Sequence, residues 1–176
     1  LMCFAPEERR FLTYPHQEVL KALNVHALCV DDDNCLWIGT YTGGVHALNL
    51  ASGSLRTYQP NGSPNSLDSS SSYAIYKDGS GRLWVATLEG LSLYNRETDD
   101  FTQACKTNAV IIDIDEDRKG NLWLSTGDGL FRYHVQTKQQ KRFTHTDSDT
   151  TSIADNQVNC MLIDEAGRQW VGTAIS

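Results

Sequence analysis

Asp78-Gly79-Ser80-Gly81-Arg82-Leu83-Trp84-Val85-Ala86-Thr87 is one of four versions of a single phrase. The others are Asp31-Asp32-Asp33-Asn34-Cys35-Leu36-Trp37-Ile38-Gly39-Thr40, Asp117-Arg118-Lys119-Gly120-Asn121-Leu122-Trp123-Leu124-Ser125-Thr126 and Asp164-Glu165-Ala166-Gly167-Arg168-Gln169-Trp170-Val171-Gly172-Thr173. All four tryptophans of the chain occupy the same place in it, separated by 47, 39 and 47 residues. A repeat near ~44 residues marks a repeat architecture and decides the fold before any local reading. Short apolar runs precede each Asp and follow each turn, for example Ala27-Leu28-Cys29-Val30 and Leu36-Trp37-Ile38. Runs of this length, β-branched and aromatic and bounded by Asp and Gly, are strands. Asp closes a turn on its own backbone and Gly takes a positive φ without steric cost, so the phrase predicts a β-hairpin. Asn34 stands where the other repeats have Gly, and Asn is the next residue best able to enter the left-handed region.

The pattern continues beyond the Thr. A Gly-containing turn leads to Val45-His46-Ala47-Leu48, Leu91-Ser92-Leu93-Tyr94 and Leu130-Phe131-Arg132-Tyr133, and fourth strands end near Tyr58, Phe101 and Phe143. Four antiparallel strands per repeat predict an all-β chain of β-propeller blades. The expected repeats cover approximately 26–58, 73–103, 110–143 and 158–176, within one segment spanning 1–176, and residues 10–14 read as the last strand of a preceding blade. Because propellers close with typically 4–8 blades, the chain is expected to be a partial propeller from a larger protein, or a four-blade ring closed by pairing its ends. Helical periodicity is confined to at most one turn within residues 18–24.

Trp37, Trp84, Trp123 and Trp170 are expected to pack between neighbouring blades, each burying on the order of 150–250 Å². The small residues two positions later (Gly39, Ala86, Ser125, Gly172) let sheets approach. Asp31, Asp78, Asp117 and Asp164 are assigned as turn formers; four copies of one Asp cannot all be the acid of a single pocket.

The phrase Asp-x-x-Gly-x-Leu-Trp-Ile-Gly-Thr, followed by Gly-Leu and a Tyr-containing strand, resembles the two-component regulator propeller repeat. The lead-ins Pro64-Asn65-Ser66-Leu67 and Thr151-Ser152-Ile153 fit it too, whereas Asn34, Gln169 and residues 1–25 depart from it. The resemblance implies the periplasmic sensor region of a hybrid two-component system of Bacteroidetes type, the extracytoplasmic part of an inner-membrane protein. It implies carbohydrate sensing, with any histidine kinase elsewhere in the full-length protein. It transfers no ligand residue.

Composition narrows the alternatives. The net charge is −7, from 22 acidic and 15 basic residues, and no basic stripe suggests nucleic acid as a partner. His16, His26, His46, His134 and His145 lack metal-ligand spacing, as do Cys3, Cys29, Cys35, Cys105 and Cys160, so no metal and no cofactor is expected. Asp31-Asp32-Asp33 and the acids between Asp113 and Asp117 suggest calcium at first sight, but without a closing bidentate acid they read as solvated turns. Cys29 and Cys35 flank the first hairpin and could face each other in a disulfide if the register allows.

In a propeller, loops joining second to third strands share a face with the linkers between blades. That face carries Tyr41–Gly44, Leu88–Gly90, Gly127–Gly129 and the linkers 59–73, 102–110 and 144–158. Variable loops on a rigid scaffold are where binding usually resides. Tyr41, Tyr73, Glu89, Asp128 and Asn159 are the candidate ligand-binding residues, an aromatic platform with acids and amides that would suit an oligosaccharide or another small ligand. Three functions compete: a non-catalytic sensor; a propeller for protein–protein contact, including further blades of the same protein or a homodimer; and a lyase or glycan-cleaving enzyme. The last needs paired acid and base groups, and His26 and Asp113 belong to different repeats.

Overall fold

The computed structural model describes residues 1–13 and 16–174. Tyr14, included above in the strand at 10–14, and Ile175 and Ser176 lie outside the described residues. Three complete four-stranded antiparallel sheets follow one another. The first holds β3 (Val25–Val30), β4 (Cys35–Thr40), β5 (Val45–Asn49) and β6 (Leu55–Tyr58). The second holds β7 (Ser72–Lys77), β8 (Leu83–Thr87), β9 (Gly90–Asn95) and β10 (Asp100–Lys106). The third holds β11 (Ile111–Glu116), β12 (Asn121–Thr126), β13 (Gly129–His134) and β14 (Gln140–Phe143). Two-stranded sheets flank them: β1 (Cys3–Ala5) with β2 (Arg10–Leu12), and β15 (Val158–Ile163) with β16 (Gln169–Thr173). Between β2 and β3 lies the short helix α1 (Gln17–Lys21). The innermost strands β3, β7, β11 and β15 pack side by side in that order, which is the arrangement of a β-propeller. The flanking hairpins are separate sheets rather than one shared blade, so among the described residues the blades form an open arc and not the four-blade ring.

The turn between third and fourth strands shows what the first hairpin is. Gly53, Asp99 and Lys138 have positive φ in the three complete blades, and Arg9 has it between β1 and β2. The pairs Leu48↔Leu55, Tyr94↔Phe101, Tyr133↔Gln140 and Phe4↔Phe11 are equivalent. β1 and β2 are therefore the outer hairpin of a blade, and β15 and β16 are an inner hairpin.

Each inner strand alternates its side chains between two neighbours. Ala27 and Cys29 of β3 face the second blade, and Ile75 of β7 faces back toward the first. Ala74 and Tyr76 of β7 face the third blade, with Ile114 facing back. The apolar core is thus three inter-blade layers centred on Trp37, Trp84 and Trp123, with a fourth cluster where Leu20 of α1 packs on Ile38 and Leu48 of the first blade. Trp37 stacks on Tyr58 of its own blade at 5.6 Å and meets Tyr94 and Phe101 of the next blade edge-on.

In every repeat the Asp does more than close a turn. Asp31, Asp78, Asp117 and Asp164 accept the indole N–H of the Trp six residues later at 2.8, 2.7, 2.9 and 3.0 Å. The other carboxylate oxygen accepts backbone N–H groups two and four residues on, as Oδ1 of Asp78 does from Ser80 and Arg82, both at 2.9 Å. Burial works to raise the pKa of Asp31 and of Asp117. The indoles of Trp37 and Trp123 and the backbone donors at Cys35 and Asn121 outweigh it and hold both carboxyls below the ordinary value. The glycine that opens each third strand is fixed by a close approach. A Cβ on Gly44, at φ 80, would collide with the carbonyl oxygen of Tyr58.

Three expectations need correction. Trp37 and Trp84 are 1% exposed and Trp123 is 7%, but Trp170 is 57% exposed, because among the described residues neither third and fourth strands of its own blade nor a neighbouring blade covers it as they cover its equivalents. Cys29 lies opposite Trp37 and Cys35 opposite Asn49, so the two do not face each other; both are free thiols. Asp113 and Asp115 are not turn residues. They lie on β11, and their carboxylates accept the backbone N–H groups of Met161 and Ile163 on β15 at 3.0 and 2.8 Å. Polar side chains here satisfy the unpaired edge of the next inner strand.

Candidate functional site

The turns between second and third strands join the blade linkers on one face. Gly44 N donates to Ser70 O at 2.8 Å, Thr107 N to Glu89 O at 3.2 Å and Gly129 N to Asn156 O at 2.6 Å. Thr40, Thr87 and Thr126 hold these turns from beneath: their hydroxyls accept the backbone N–H groups of Gly43, Glu89 and Asp128, and those of Thr40 and Thr126 donate to the Gly44 and Gly129 carbonyls.

At this face every inner strand carries a β-bulge at the same register. Val25 and Ala27 oppose Thr40 and Gly39, leaving His26 extra; in the same way Tyr73, Ile112 and Asn159 are the extra residues of β7, β11 and β15. A bulge bends its strand and re-aims the inserted side chain. His26, Ile112 and Asn159 are exposed and Tyr73 is half-buried.

Two of the five candidates from the sequence come together. Tyr41 and Tyr73 lie 6.3 Å apart at 82°, and His26 completes the group, 6.0 Å from Tyr41 and 5.1 Å from Tyr73. Burial pushes the Tyr73 phenol up, and Tyr41 adds to the shift. Asn159 occupies the equivalent bulge two blades away. Asp128 is engaged within its own blade: its carboxylate pairs with the Arg142 guanidinium, whose Nε also donates to Asp128 O at 2.6 Å. Glu89 is exposed in its turn and its carbonyl holds Thr107. Two equivalents, His26 and Ile112, were missed as site positions because a bulge is a property of register. The signal was available: each of the four residues stands five positions before the turn Asp. Asp68 was missed as well; it accepts the hydroxyl of Thr87 at 2.5 Å and the amide of Gln103 at 2.6 Å, tying the linker to the second blade.

The grouping can stack a ring and offer phenolic hydroxyls to hydrogen bonds. Among the described residues no three His, Cys, Asp or Glu side chains are placed to hold a metal ion. No described helix is long and apolar enough to cross a membrane.

Residues 20–42 and 66–89 match the two component regulator propeller family, so the chain carries repeats of that type. No curated protein matches the chain. Two similar solved structures are described as extracellular domains of hybrid two component systems from B. thetaiotaomicron. One is 20% identical with a TM-score of 0.81, over 100% of this chain and 24% of that one. The other is 22% identical with a TM-score of 0.79, over 98% of this chain and 22% of that one. PorZ, a surface component of the type-IX secretion system of Porphyromonas gingivalis, is 14% identical with a TM-score of 0.79, over 98% of this chain and 28% of that one. The chain thus spans about a quarter of the length of each.

Proposed function

We propose that this chain is a non-catalytic, ligand-sensing propeller segment from the extracytoplasmic, periplasmic part of a two-component sensor, and that its ligand is a carbohydrate. The observation that carries this reading is the repeat itself: two stretches match the two component regulator propeller family, on a fold shared with extracellular domains of such systems. A rigid scaffold with non-repeating linkers and bulge residues on one face supports a binding role. The phenols and ring faces of Tyr41 and Tyr73 are groups that sugars meet well. The test is made in the intact protein. A host strain whose gene lacks residues 26–174 should lose its transcriptional response to the inducing glycan. A response unchanged by the deletion defeats the sensor reading, and cleavage of the glycan by the purified chain defeats the non-catalytic one.

Exposed apolar side chains favour a second reading, a propeller used for protein contact. Leu162 and Trp170 stand out at one side of the arc and Phe4 and Phe11 at the other. Sedimentation of the chain across a concentration series separates the two roles, because sensing does not require self-association.

A further inference from the structure

Internal repetition lets each blade serve as a control for the others. Positions that hold the scaffold repeat: the turn Asp, the indole, and the Thr hydroxyl beneath each second-to-third-strand turn. Two sets of positions at the mouth of the arc do not. The bulges carry His26, Tyr73, Ile112 and Asn159, and the residues after the repeated Thr are Tyr41, Leu88 and Gly127. The scaffold therefore fixes where these side chains project but not what they are. At the junction of the first and second blades all three are aromatic, and the apolar character continues along the rim. Tyr41 is 48% exposed, Leu88 42% and Ile112 38%.

The main chain that carries the Tyr41 ring is also held in place. Tyr41 N donates to Asn24 O at 3.0 Å, just before β3, and Tyr41 O accepts the Ser71 hydroxyl, just before β7. The Tyr41 backbone is thus pinned to the starts of both inner strands whose bulges carry its neighbours His26 and Tyr73. A contact surface ordered in advance loses little freedom on binding, the condition under which exposed rings bind well. The three rings lie against one another at 5.1 to 6.3 Å, too close to leave a cage between them, so they present a wall.

We infer that His26, Tyr41 and Tyr73 form a stacking subsite for the flat apolar face of a ring in the ligand, with Leu88 and Ile112 continuing the contact along the rim. The inference rests on the sensor reading and assigns that reading a place. The ring is either the apolar face of a pyranose or an aromatic ring, since both offer C–H or π surface to a Tyr face.

The test is calorimetry on the 176-residue chain with cello-, xylo-, manno- and galactohexaose, the p-nitrophenyl glycosides of the same sugars, and p-nitrophenol alone. Binding of a hexaose without p-nitrophenol identifies the sugar face, and the reverse identifies the aromatic ring. In either case Tyr41→Ala and Tyr73→Ala should each weaken the bound probe roughly tenfold, the scale of one lost ring contact. Tyr73→Phe, which keeps the ring, should restore it, and Glu97→Ala, exposed in the turn between β9 and β10, should leave it unchanged. Circular dichroism of each variant reports whether it is folded; should Tyr73→Ala unfold, Tyr41→Ala and the exposed His26→Ala replace it. Binding indifferent to the aromatic substitutions overturns the subsite, as does a wild-type chain that binds none of the probes. Both outcomes leave the sensor reading to the deletion strain, whose failure would be separate.

Discussion

Replacing Asp78 with Ala should destabilise the chain far more than the same change at Asp164, although the two occupy one position of the repeat. Asp78 is 2% exposed. Its carboxylate accepts the Trp84 indole at 2.7 Å, the Arg82 Nε at 2.6 Å and the backbone N–H groups of Ser80 and Arg82 at 2.9 Å. Removing it leaves the Trp84 N–H without a partner in a cluster that excludes water, at about 1–3 kcal/mol. The turn donors lie beside exposed residues and recover water in part, so each backbone bond contributes nearer 1 kcal/mol. The sum is about 3–5 kcal/mol. At Asp164 the same bonds exist, but the Trp170 indole is 57% exposed and water replaces the lost acceptor, leaving at most about 2 kcal/mol from the two backbone bonds. Asp78→Asn should fall between, because it keeps one acceptor oxygen and turns an amide toward another donor. Urea titration with fluorescence detection reads all three as shifts in midpoint at constant slope. Asp78→Ala within about 1 kcal/mol of wild type, or indistinguishable from Asp164→Ala, would refute the view that the clasp derives its strength from burial.

Trp84→Ala should cost roughly 3–5 kcal/mol and Trp170→Ala under about 1, and equal midpoints in the same titration would contradict the layered core. Glu89→Ala is expected to be near neutral, within about 0.5 kcal/mol, since the side chain is exposed in a turn that its backbone holds; a larger thermal shift would give the carboxylate a structural role. His46 is buried, its Nδ1 within 2.9 Å of the Thr57 hydroxyl and its Nε2 without a partner, and burial lowers its pKa below 6.5. The unfolded chain then takes up a proton that the folded chain refuses. Stability from the neutral ring is complete above pH 6.5 and declines as pH falls from 6.5 toward the lowered folded value. Melting temperatures at pH 7.5 and pH 5.5 should diverge less for His46→Leu than for wild type, and an unchanged difference would remove His46 as the cause.

The fold was legible because it is written four times. One hairpin of ten residues is ambiguous, but Asp, Trp and Thr in fixed register leave little freedom in the strand pattern, and the observed sheets follow it. What escaped was whatever depends on direction or neighbourhood. The six-residue Asp-to-Trp spacing was visible, yet the reach of the carboxylate to the indole needs the side-chain orientations of a formed hairpin. The exposure of Trp170 depends on what would cover it, and its own phrase keeps the Asp, Trp and Thr of the others, with Gln169 in place of their Leu. Asp113 and Asp115 looked like part of an acidic turn because their role belongs to the next inner strand, 48 positions away in sequence. Tyr41 and Tyr73 could be placed on one face from loop geometry alone; that His26 joins them follows from the bulge, which no composition rule reveals.

The clasp between Asp and Trp also bears on how the chain reaches this structure. Its two ends are only six residues apart, so closing it costs little chain entropy, and each of the four hairpins can set its own register before any neighbouring blade has arrived. A slip of one residue would turn the indole to the opposite side of the sheet and break the bond to the carboxylate. Register is thus set locally within each hairpin, and because each blade contacts only its neighbours, assembly can start at any blade and spread along the arc.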